Sequence, residues 1–202
     1  MTPREPTRRE LLGAGAVGAA GLLALPAAAA ADTTTTSEPP ISAAERIRRL
    51  IQLELLGVYC YRYVLGSSIL GPTAHSRLTP FVGHEEAHIG ALTARLKARG
   101  GTVPPGPDSI KTANRDLGHR GIGGRLGQLQ GERDALYMLL TLEQVTIGAY
   151  FVALMQIKDP DLVSLVCQIM ANEAQHDAMI GLSLPKATPQ SAVPYGLVQG
   201  LQ

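Results

Sequence analysis

The sequence predicts an all-α protein, a four-helix bundle whose second and third helices are joined by one long connection. Three observations carry this. Four segments place apolar residues at spacings of three and four, the periodicity of a helix with one face turned to a core. Gly- and Pro-rich punctuation separates them, and the alternating β-branched runs of strands are scarce. The stretch 100–130, opening with "GGTVPPGP", reads as a long connection rather than a tight turn.

At 202 residues and 45% hydrophobic, the chain suits one domain with a core of its own. A formal net charge of +1 gives no electrostatic reason to expect nucleic acid or an acidic partner. Trp is absent and aromatic residues make up 4%, which argues against a base-stacking surface.

Residues 1–31 stand apart from the fold. "TRRELL" (7–12) carries paired arginines ahead of a Gly- and Ala-rich apolar run, with no charge between Glu10 and Asp32 and a small-residue cleavage site at Ala29-Ala30-Ala31. This is similar to a twin-arginine export signal. The resemblance implies export of an already folded, often metal-loaded protein to the periplasm, cell wall or exterior, with no stable membrane span after cleavage. An uncleaved anchor is the alternative, since the run is about 20 residues long.

Residues 32–41, "DTTTTSEPPI", read as a disordered linker. The first bundle helix starts at Ser42 with Glu45, the S-x-x-E of a capping box, and runs to about 66. The second runs from about Thr79 or earlier to Gly100-Gly101, Pro80 being tolerable as an early helical position. The third covers roughly 131–158, where Asp159-Pro160 stops it and caps the fourth, which ends near 182. Pro185, Pro189 and Pro194 make 183–202 a surface tail rather than a helix.

The phase of these helices is informative. Ile47, Leu50, Ile51, Val58, Tyr61 and Leu65 form one stripe that includes Glu54. Leu136, Leu139, Leu140, Ile147, Tyr150 and Leu154 form another, at the same offsets from Glu143. In the second helix Glu85 and His88 share a stripe with Leu78, Phe81, Val82, Ile89, Leu92 and Leu96. In the fourth, Glu173 and His176 share one with Leu162, Leu165, Val166, Ile169 and Ile180. The Glu-x-x-His pairs follow the lone glutamates by 31 and 30 residues, an internal repeat. A chance Glu-x-x-His is expected in roughly one such sequence in four, so the information lies in the doubled, in-phase pattern.

Four buried carboxylates demand counter-charge, since even one unpaired buried ion costs several kcal/mol. Arg62, Arg95 and Lys97 lie off the inward positions. Two divalent cations, with two neutral imidazoles as further ligands, balance the four glutamates. The spacing matches carboxylate bundles in which two helices give a lone Glu and two give Glu-x-x-His.

On these motifs, residues 42–182 resemble the ferritin-like superfamily, in particular its exported bacterial ferritin-like domain proteins. The resemblance implies metal ligation by Glu54, Glu85, His88, Glu143, Glu173 and His176, with one glutamate of each Glu-x-x-His pair bridging two Fe ions, or alternatively Mn. It implies O2 or peroxide as the partner of an oxidoreductase, a ferroxidase or a peroxide-handling protein. A non-catalytic metal-binding or stress-protective protein stands as the alternative, and a purely structural bundle as a third. Many relatives carry an acidic residue just before the Glu-x-x-His glutamate, turned toward a ligand histidine; here those places hold His84 and Asn172. No Cys-x-x-Cys pair offers a further iron site. Nothing specifically signals a storage cage, and homo-oligomer formation stays open.

Tyr61 and Tyr150, two turns after the lone glutamates, are candidates to hydrogen-bond a ligand carboxylate or to donate one electron, or they simply fill core. His84 and Glu86 read as solvent-facing or entrance residues. In the ferritin-like topology the first and fourth helices run parallel, which sets Cys60 and Cys167 about 18 Å apart along the axis. Two free thiols are therefore expected.

Overall fold

The computed structural model describes residues 41–188 except 124. The expected signal peptide 1–31, all but the last residue of the linker, and the tail beyond 188 lie outside the described residues. Within them the chain forms α-helices and no strand, as expected.

Helix α1, Ala43–Gly66, begins where Ser42 accepts a hydrogen bond from the Glu45 N–H at 3.1 Å. Only half of the expected capping box forms. The Glu45 carboxylate turns instead to Arg49, 3.0 Å away at the i+4 position, and that exposed ion pair takes the place of the reciprocal bond. The second predicted helix is two helices, α2 (Pro72–Leu78) and α3 (Phe81–Lys97). Thr79 and Pro80 keep helical backbone angles between them, but Pro80 has no N–H to continue the ladder.

The long connection contains a helix that the sequence reading left out, α4 (Ile110–His119), opened by a reciprocal Ser109–Thr112 capping box. It buries Ala113 and Leu117. Asn114 then clamps the returning chain, donating to the Leu126 carbonyl at 3.1 Å and accepting from the Leu126 N–H at 2.8 Å. Positive φ angles at Gly121 and Gly127 (70° and 87°) make the turns that allow this. Helix α5, Glu132–Leu154, stops four residues short of the expected end. Helix α6, Pro160–Gly181, starts as expected, with Asp159 accepting from the N–H groups of Asp161 and Leu162 and Pro160 in the first turn. Beyond it, Leu184 packs back on the core.

Contacts across the bundle fix the direction of each helix. Tyr61 of α1 reaches Glu143 of α5 while Glu54 meets Tyr150, so α1 and α5 are antiparallel. His88 of α3 faces Glu54, and Gly57 faces Glu85, so α1 and α3 are antiparallel as well. His176 of α6 faces Glu85, whereas Asn172 faces His88, which sets α6 against α3. Hence α1 and α6 run parallel, as the crossover requires. Cys60 and Cys167 are both free, the first buried and the second exposed.

Two apolar clusters fill the bundle, one around Tyr61, Leu136, Leu139 and Ile180, the other around Ile47, Ile51, Tyr150 and Val166. The charged side chains lie between them. Helix α5 is long and apolar enough to cross a membrane by length and composition, but much of it is buried in the bundle, Glu143 included.

Candidate metal centre

The four long helices bring all six predicted side chains together in the core. Glu54, Glu85, Glu143, Glu173, His88 and His176 are all buried, with His88 the most open at 8% exposure. Each helix places its residues there by the same device: a charged position substituted into an otherwise apolar inward stripe.

The carboxylate oxygens divide in an ordered way. Glu173 turns Oε1 to His88 Nδ1 (2.8 Å) and Oε2 to His176 Nδ1 (3.4 Å). Glu85 does the reverse, with Oε2 3.7 Å from His88 Nδ1 and Oε1 3.1 Å from His176 Nδ1. Glu54 faces His88 at 3.3 Å and Glu143 faces His176 at 3.9 Å. Two overlapping groups result, Glu54–Glu85–His88–Glu173 and Glu85–Glu143–Glu173–His176, each with ligand atoms within 4.8 Å of one another. Glu85 and Glu173 belong to both.

The chemistry of this donor set fits metal. Glu85 Oε1, both oxygens of Glu173 and His176 Nδ1 are buried without a well-formed hydrogen bond, although imidazole and carboxylate atoms stand close by. Orphaned polar atoms in a core cost free energy, and atoms that converge without hydrogen-bond angles are arranged as ligands around a shared cation are. Carboxylate oxygens together with imidazole nitrogens are a donor set for divalent metal ions.

Without metal, the box balances its charge in a way the sequence reading overlooked. Burial, reinforced by the neighbouring carboxylates, pushes Glu54 and Glu143 well above the usual carboxylate range. Burial also opposes ionisation of Glu85 and Glu173, but the His176 and His88 imidazoles close beside them outweigh it; Glu85 is lowered and Glu173 comes down to about 2. Against their own burial, the same carboxylates raise His176 and bring His88 up to about 12. These shifts favour the proton on Glu54, Glu143 and both imidazoles and disfavour it on Glu85 and Glu173, a pattern in which imidazolium charge offsets carboxylate charge. Metal is therefore not the sole source of counter-charge, because the histidines can carry charge themselves.

The tyrosines cross over. Tyr61 of α1 donates to Glu143 Oε1 of α5, and Tyr150 of α5 donates to Glu54 Oε1 of α1. Both hydroxyls are buried and, through that burial and the adjoining carboxylates, are raised well above the phenol range. Each therefore stays protonated and holds the oxygen of its glutamate.

Three neighbours escaped prediction in these roles. His84 Nδ1 lies 3.0 Å from His176 Nε2, and Asn172 Oδ1 lies 3.0 Å from His88 Nε2. The sequence marked both positions, but not that each serves the histidine of the opposite helix. Asp177 is buried with Oδ1 unpartnered, and burial raises its carboxyl while Gln144 lowers it. Its place one turn after Glu173 was the available signal. Glu86 pairs with exposed Arg62, outside the box.

Fold and box together define a helical bundle whose core could hold metal between carboxylates and imidazoles. Residues 43–185 match the model of the ferritin-like domain family, and the chain belongs to that family. None of the curated proteins matches the sequence.

Proposed function

We propose that the chain is an exported ferritin-like protein that holds two iron ions, or two manganese ions, and oxidises substrate with O2 or peroxide. The observation that carries this is the division of the Glu85 and Glu173 oxygens between the two histidines, which suits carboxylates shared by two cations. Glu54 with His88 would complete one half and Glu143 with His176 the other. Reduced iron or manganese held by these residues would supply the electrons passed to O2 or peroxide.

The chain's own groups prepare that chemistry. Tyr61 and Tyr150 hold the Glu143 and Glu54 carboxylates in one orientation. Apolar clusters on either side exclude water and strengthen every charge interaction within. The box nears solvent beside His88 and exposed His84. The proposal for export rests on the paired arginines and apolar run of residues 1–31.

Elemental analysis of protein purified from its own host tests the reading. About two iron or manganese ions per chain are expected, and Glu173→Ala should lose both; a metal-free native protein overturns it. A second reading, metal holding without turnover, is favoured by the uncharged Asn172 behind His88 where many relatives have an acid. An iron-loaded protein with no O2- or peroxide-dependent absorbance change would decide for it.

A further inference from the structure

The two halves of the box match in nearly every contact: a lone glutamate held by a tyrosine from the other half, an imidazole presenting Nδ1, and a share of Glu85 and Glu173. They differ in what stands behind the imidazoles. We propose that His84 and Asn172 are positioning residues that make the halves unequal, so that a first divalent ion settles in the Glu143–His176 half and a second in the Glu54–His88 half. This rests on the reading of the box as a metal site.

Behind His176, the His84 ring lies with its Nδ1 3.0 Å from His176 Nε2. The ring planes are within 9° and the centroids 5.2 Å apart, so the rings meet edge to edge, as an in-plane hydrogen bond requires. With Nδ1 of His176 turned to the carboxylates, its Nε2 carries the proton and donates to His84. An imidazole nitrogen is a stronger acceptor than an amide oxygen and makes the donating ring a better ligand. Phe81 stacks on the face of His176 at a centroid distance of 4.1 Å, leaving one orientation to a ring that is 1% exposed.

Behind His88 the support is weaker. Its Nε2 meets Asn172 Oδ1 at 3.0 Å, and the same amide turns its Nδ2 toward Gln175 at 3.4 Å. His88 lies nearer the solvent, and among the described residues no ring stacks face to face on it. The tautomer is fixed at both histidines, but ring orientation and donor strength are better fixed at His176.

Titration of purified, metal-stripped protein with Co(II), followed by its visible absorption and by calorimetry, tests this. The wild type is expected to bind in two resolved steps. His88→Gln, which keeps the His176 half, retains the tight step, and His176→Gln retains the weak one. His84→Phe keeps a ring beside His176 but removes the acceptor. It should weaken the tight step by about 10-fold or more and leave the weak step unchanged. Exchange of the supports, His84→Asn with Asn172→His, should bring the steps together or reverse them. Circular dichroism confirms that each variant is folded, and His84→Asn alone replaces His84→Phe should the latter not fold. Two equal ions in the wild type, or equal weakening of both steps by His84→Phe, overturns the proposal while the metal reading stands. Absence of any Co(II) uptake overturns both.

Discussion

Glu54 and Glu143 are the glutamates of the box on which burial holds the proton most strongly. Their folded pKa values are raised by burial and neighbouring carboxylates, so the metal-free fold keeps protons that the unfolded chain loses above about pH 4.3. Their contribution to stability therefore falls as pH rises through that window. His88 and His176, also raised, stabilise fully below about pH 6.5 and lose that contribution as pH climbs through their folded values. Glu173, lowered to about 2, stabilises above the ordinary carboxylate pKa and loses its contribution as pH falls toward 2. Metal-free protein should thus be most heat-stable near about pH 4 to 5 and weaken toward neutrality. Melting curves check this, and Glu54→Gln/Glu143→Gln, whose amides imitate the protonated acids, should flatten the decline. Binding of divalent ions should release protons near pH 7, that of His88 among them, measurable by calorimetry in buffers of different ionisation enthalpy. Tyr61→Phe leaves a buried carboxyl without its donor and should cost about 1–3 kcal/mol in urea unfolding of the metal-free protein. Tyr150→Phe should cost about the same, because its bond is the counterpart.

Elements were legible in proportion to how much of their character is local. Asp159-Pro160 and the start of α6 could be read from the chain because capping is a matter of adjacent residues. Helix α4 could not. It has few inward apolar positions to set a period, and its capping partner is Thr112 where the familiar pattern has Glu or Gln. The break between α2 and α3 was likewise hidden, since Thr79 and Pro80 stay helical while only the hydrogen-bond ladder is interrupted. Asn114 holds the chain after α4 by two backbone bonds. Asn114→Ala should destabilise by about 1–3 kcal/mol and expose the segment near residue 126 to limited proteolysis, with little effect on metal content.

At the scale of the molecule, topology was legible because two kinds of information agreed: the long connection and the doubled spacing of the box residues. The six box residues were legible because each falls in phase with the apolar stripe of its helix. What stayed hidden depended on distance through space: the crossed tyrosines, the partners of His84 and Asn172, and the protons that offset carboxylate charge in a metal-free box. Topology also governs the thiols. Cys167, exposed, should react with a thiol reagent in the native protein. Cys60, buried and with its thiol pushed up to about 12 by that burial, should react only on unfolding. A non-reducing mass measurement should show no bridge between them.

The crossed tyrosine–glutamate bonds have a consequence for symmetry. Each half of the bundle lends its tyrosine to the other's glutamate, and the shared carboxylates come one from each half. A single hairpin with a lone Glu, a Tyr two turns later and a Glu-x-x-His helix, paired with a second copy of itself about a two-fold axis, would build the same box from self-complementary contacts. His84 and Asn172 are where this chain departs from such an object, and at those two places one half can no longer stand in for the other.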